Sequence, residues 1–126
     1  MGRGLGGGDD EGGGGFGVRR PLRFLAHKLE LDDKQVAQLA RILDELKTER
    51  AQVAVDDRRT LGDFADALAG AQFDQARAAA GGDRRAESTR RLRDVLVRSL
   101  GQIHAILTPP QRERLAYLIR TGVLVV

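Results

Sequence analysis

The chain has no cysteine and no tryptophan, and its one methionine is Met1. Without cysteine there is no disulfide framework, no zinc–thiolate centre and no thiol nucleophile. Only two histidines, His27 and His104, are present, a thin inventory for acid–base or metal chemistry. No apolar run approaches the roughly 18 residues of a membrane-spanning helix, so no membrane insertion is expected. The first thirty residues lack the apolar stretch of a secretory signal. Nor does an enzyme emerge. Ser88 and Thr89 have no histidine or paired base at helical spacing, and the tract Gly12 to Gly15 lacks the Lys-Ser/Thr ending of a phosphate loop. No catalytic residue, cofactor or metal ligand set is assigned.

The 126 residues amount to one domain. Ten of the 16 glycines fall in residues 1–17, where only Leu5 and Phe16 offer apolar burial against the entropy of ordering glycine. Residues 1–17 are therefore expected to form a disordered tail, and residues 18–126 a single folded unit. The net charge of +3 conceals an asymmetry. Residues 21–82 carry nine basic and eleven acidic side chains, whereas residues 83–126 carry nine arginines and four acids. Such a split suits an acidic partner, nucleic acid, or the other half of a self-associating surface.

From Pro21 onward the pattern is helical throughout, which predicts an all-α fold with no sheet. About five helices are expected, near 22–30, 33–58, 61–80, 84–107 and 109–121. Val36, Leu39, Leu43, Leu46 and Val53 form one stripe of the second, with Arg50 in the slot where an apolar residue belongs. Thr60 reads as the cap of a third helix carrying Leu61, Phe64 and Leu68, and Phe73 as a closure of the core. Gly81-Gly82-Asp83 reads as a break. Val123 to Val126 read as an apolar extended tail.

Two pentapeptides stand out, Leu31-Asp32-Asp33-Lys34-Gln35 and Leu107-Thr108-Pro109-Pro110-Gln111. Each has a capping residue followed three positions later by glutamine. The cap side chain can accept from a backbone N–H of the new helix while the glutamine reaches back to the cap's own N–H. In this repeated frame the sequence resembles the Spy/CpxP family, the LTxxQ-motif proteins that include zinc-resistance-associated and periplasmic heavy-metal-sensor proteins. The second motif matches in full at Leu107, Thr108 and Gln111; the first has Asp32 where the motif has threonine, a change that keeps the capping oxygen. The resemblance implies long bent helices in an α-hairpin, commonly dimerised into a cradle. It also implies ATP-independent chaperoning, envelope-stress regulation or metal sensing, mostly in the periplasm. The absence of a signal from the chain as given leaves a cytoplasmic address open.

A chaperone-like or stress-response binding protein, acting through a dimeric helical surface on unfolded or acidic protein clients, is the leading reading. The candidate partner-binding surface is Arg84, Arg91 and Arg98, which repeat every seven residues, interleaved with Leu92 and Leu96. The same arginines could instead pair with Asp44, Glu45 and Glu49 of the second helix, within the fold or across a dimer. Heavy-metal sensing or resistance is the alternative, and it would have to use His27 and His104. Nucleic-acid binding through the arginine helix is the reading from another class. Glu87 and Asp94 interrupt its basic stripe, and it has no aromatic side chains for stacking. A homodimer is expected because two long helices, a charge split and an apolar tail exceed what one small core can cover.

Overall fold

A computed structural model describes residues 19–126, so the expected glycine-rich tail at 1–17 lies outside the described residues. Four helices follow one another: α1 (Arg19–Lys28), α2 (Asp33–Ala69), α3 (Gln75–Ile106) and α4 (Pro109–Arg120). The fold is all-α, and no sheet forms among the described residues. α2 and α3, of 37 and 32 residues, form an antiparallel hairpin, each arm about 50 Å long at 1.5 Å per residue. The short helices α1 and α4 flank it at its open end.

The helix count differs from expectation because two breaks read from the sequence do not exist. Thr60 caps nothing: it is buried within α2, and its hydroxyl donates to the Gly81 carbonyl of α3 at 3.3 Å. Gly81-Gly82-Asp83 lies inside α3. A Cβ at Gly81 would stand 3.0 Å from Phe64 Cε1 and 3.1 Å from Asp63 Cβ, so this glycine lets the two arms approach rather than ending a helix. The chain reverses at 70–74 instead, and the Asp74 carboxylate accepts from Arg77 N at 3.0 Å to start α3.

The apolar core occupies one half of the hairpin. Leu25 and Leu29 of α1, Leu39, Ile42, Leu43 and Leu46 of α2, Val95 and Ile103 of α3, and Leu107, Leu115, Leu118 and Leu124 form it, and no residue between 47 and 91 belongs to it. Beyond it the arms meet through small and polar side chains: Asp56, Thr60, Ala67, Gly81 and Ser88 are buried. Arg50 is half-buried, and its Nε has no hydrogen-bond partner. Leu61 and Leu68, expected to face a core, are 58% and 73% exposed, because α1 and α4 pack only on the other half. Phe73 lies in the reversing turn and closes nothing, at 59% exposure.

The C-terminal segment does not simply trail away. Gly122 takes φ +82°, a left-handed conformation suited to glycine after a helix end. Its N–H donates to Ile119 O, and Leu124 N donates to Leu118 O. That turn sends Leu124 back into the core at 1% exposure, leaving Val123, Val125 and Val126 at the surface.

Candidate functional site

The two motif segments lie side by side at the open end of the hairpin, and both form full capping boxes. Asp32 Oδ1 accepts from Gln35 N at 2.8 Å, and Gln35 Oε1 accepts from Asp32 N at 3.0 Å. Thr108 Oγ1 accepts from Gln111 N at 3.4 Å, and Gln111 Oε1 accepts from Thr108 N at 2.9 Å. Leu107 is buried and Leu31 half-buried, each packed with the core immediately before its cap.

Each glutamine also caps the end of a different helix. Gln35 Nε2 donates to Ile106 O, the last residue of α3, at 2.8 Å. Gln111 Nε2 donates to Leu29 O, just past α1, at 3.1 Å. The two amides bond one another as well, Gln35 Nε2 to Gln111 Oε1 at 2.8 Å. Carbonyls at helix ends have no partner within the helix, and here the opposite motif supplies one. The arrangement explains why the third position is glutamine. An ordinary box accepts glutamate equally well, but a carboxylate has no N–H for those carbonyls.

α1 ends in a turn of the same economy. Glu30 N donates to His27 O and Leu31 N to Ala26 O, with Glu30 at φ 53°. This left-handed residue, normally a glycine, brings the Leu29 carbonyl to Gln111.

The heptad arginines run along the edge of the seam between α2 and α3 and reach across it to acids of α2. Arg84 pairs with Asp63 and Arg98 with Glu45, while Arg91 reaches Asp56 at 2.6 Å and Glu49 at 3.6 Å. Arg77 lies 3.5 Å from Asp63 and 3.1 Å from Asp66, and Arg85 lies 3.7 Å from Asp57. The Arg85 guanidinium also stands 5.5 Å from the centre of the Phe64 ring. Among the candidate partners on α2, Glu45 and Glu49 are therefore used within the fold; Asp44 is not among the acids of these pairs. Leu92 and Leu96 are half-buried against the core. The charge split that suggested an intermolecular match is thus largely matched within one chain.

Two carboxylates in this ladder sit below the usual aspartate range. Asp56 is lowered by the Gln52 amide, which donates to it at 3.0 Å, with Ser88 and Arg91 adding to the effect against the opposing cost of burial. Asp63 is lowered first by the hydrogen bond from Arg84, and further by Arg77. His27 and His104 are both exposed. Among the described residues no three His, Cys, Asp or Glu side chains are grouped to hold a metal ion. No described helix is long and apolar enough to cross a membrane.

Sequence reasoning missed the contact of Thr60 and Phe64 with Gly81 and the reversal at 70–74. Asp74, followed three residues later by the N–H it caps, was the available signal for the latter.

A long helical hairpin closed at its open end by two reciprocal Leu-cap-x-x-Gln boxes defines the class. A family model described as LTXXQ motif family protein matches residues 18–118. The chain belongs to that family, the family of the Spy/CpxP proteins. Searches of curated proteins and of solved structures gave no match.

Proposed function

We propose that the protein is a non-catalytic, ATP-independent binding protein of the chaperone or stress-response type, working as a homodimer on partly unfolded or acidic protein segments. The observation that carries this reading is the outer half of the hairpin. It has no apolar core of its own, yet it presents Leu61, Leu68 and Phe73 to solvent among charged residues. Scattered apolar side chains in a charged field suit weak, sequence-tolerant contact with unfolded chains, with charge governing encounter. Val55 and Val97 extend the exposed apolar set. Membership of the LTXXQ family supports the reading and, with it, a periplasmic address.

The test is light scattering from an aggregating client. The purified protein, at near-equimolar ratio and without ATP, should suppress aggregation of a thermally unfolded enzyme. The triple variant L61S/L68S/F73S should lose most of that protection while keeping its helical circular dichroism. No protection by the unaltered protein would overturn the reading. Molar mass by light scattering at low micromolar concentration should equal two chains, and a monomer persisting to millimolar concentration would remove the dimer.

A further inference from the structure

The arginines of α3 that drew attention in the sequence face acids of the same chain. The hairpin arms α2 and α3 together carry eleven acids and thirteen bases, so most of the excess positive charge lies elsewhere. α1 contains Arg19, Arg20, Arg23 and Lys28 and no acid, and α4 contains Arg112, Arg114 and Arg120 against the single acid Glu113. Among the described residues, Arg23, Lys28, Arg114 and Arg120 form no ion pair. Arg112 is engaged, its Nε donating to His104 O at 2.9 Å.

Lys28, Arg114 and Arg120 border two adjoining hollows. One, of about 280 Å³, lies between α1 and α4 and is lined by Lys28, Glu30, Thr108, Pro110, Gln111 and Arg114. The other runs along α4, where Pro110 and Arg114 again contribute and Glu113, Tyr117 and Arg120 continue the surface. Tyr117 is 59% exposed, an aromatic ring set among guanidinium groups. Lys28 Nζ is held 5.8 Å from the centre of the Phe24 ring.

We propose that this α1/α4 end docks an acidic, extended protein segment. Lys28, Arg114 and Arg120 meet its carboxylates, and Tyr117 meets one apolar side chain. The proposal rests on the reading above in taking the partner to be protein. The start of α4 supplies no backbone donors. Pro109 and Pro110 have no N–H, Gln111 N is held by Thr108 Oγ1, and Arg112 N by Thr108 O. Recognition therefore falls to side chains that reach outward, which suits carboxylates on a flexible chain. A lipid surface fits less well, since the apolar side of α1, Pro21, Leu25 and Leu29, is already buried in the fold. From Arg114 to Arg120 the helix rises about 9 Å, the span of about three extended residues.

The experiment uses the full chain and a fluorescein-labelled hexapeptide of five glutamates and one phenylalanine, followed by anisotropy at 50 mM and 200 mM salt. The unaltered protein should bind, more weakly at the higher salt. The double variant K28Q/R114Q should raise Kd by about tenfold or more, and Y117A by a smaller factor that persists at 200 mM salt. The control R90Q/R93Q removes the same charge from cations already paired with Glu87 and Asp94 on α3, and should change Kd less than about twofold. Equal losses in the two double variants would overturn the proposal, as would no binding at 50 mM salt. So would tighter binding of the same end to phosphatidylglycerol vesicles or an oligonucleotide than to the peptide. A protein that suppresses aggregation yet ignores the peptide refutes the docking surface alone. One that binds the peptide through Lys28 and Arg114 without protecting clients supports it and refutes only the chaperone reading.

Discussion

Gln35 and Gln111, 76 residues apart, share a hydrogen bond of 2.8 Å, and each also satisfies a carbonyl at the end of a helix other than its own. The motif is therefore a cross-link as well as a pair of helix starts. This separates two substitutions that a simple capping box would treat alike. Gln35→Glu keeps the acceptor for Asp32 N but sets carboxylate oxygen against Ile106 O and Gln111 Oε1. It should cost about 1–3 kcal/mol, the range for polar groups left unpaired away from water. Urea denaturation measures it, and a loss below about 0.5 kcal/mol would reduce the motif to local capping.

The cap residues themselves should behave in the ordinary way. Thr108→Ala should lose about 1 kcal/mol, the typical value for an N-cap oxygen. The Asp32 carboxylate accepts only from Gln35 N among the described hydrogen bonds, so Asp32→Thr should be nearly neutral in the same assay. A large loss for that swap would reveal a separate use of the carboxylate.

Neighbouring glycines in α3 should respond with opposite sign. Gly82 has nothing within 4 Å of a built Cβ, so Gly82→Ala should stabilise by about 1 kcal/mol through helix propensity. Gly81→Ala places a methyl 3.1 Å from Asp63 Cβ, an atom too close to the backbone to move aside. The arms must part, and the variant should be destabilised despite the better helix former. Thermal melts of the two variants, with Tm rising for one and falling for the other, decide the point.

Asp56 and Asp63 both titrate below their ordinary value in the fold. A lowered folded pKa stabilises fully above the unfolded pKa, about 4, and that stability drains away as pH falls through the folded value. These two groups should therefore leave the urea midpoint flat from pH 7 to about pH 5 and lower it on further acidification. Asp56→Asn should flatten the acid limb. An unchanged limb in both Asp56→Asn and Asp63→Asn would show that the ladder is not what fails in acid.

Much of this was legible in the chain. The capping boxes at 32–35 and 108–111 are local grammar, fixed by residue types three apart, and α1 and α4 end within three residues of where the sequence sets them. The hairpin's length was not legible. Thr60 with Asp63 looks like a cap, and Gly81-Gly82 like a break, because both patterns occur at helix ends. Only the crossing of α2 with α3 shows that Thr60 and Gly81 are there to touch one another. The same limit applied to the arginines. Heptad spacing put Arg84, Arg91 and Arg98 on one side of a helix, but which acids they face depends on the register of the hairpin, and that register is set by the turn at 70–74.

The confinement of the apolar core to residues 22–46 and 92–124 gives the hairpin two tiers of stability. The outer arm is fastened by half-exposed ion pairs, each contributing about 1 kcal/mol or less, around a narrow seam of small side chains. The outer arm is expected to open and reclose as a subglobal unit while the base stays folded. Amide protons at 51–90 should accordingly exchange with solvent much faster than those at 39–46 and 95–103, and added salt should widen the gap. The tip of the hairpin is thus a loosely fastened arm on a firmly packed base.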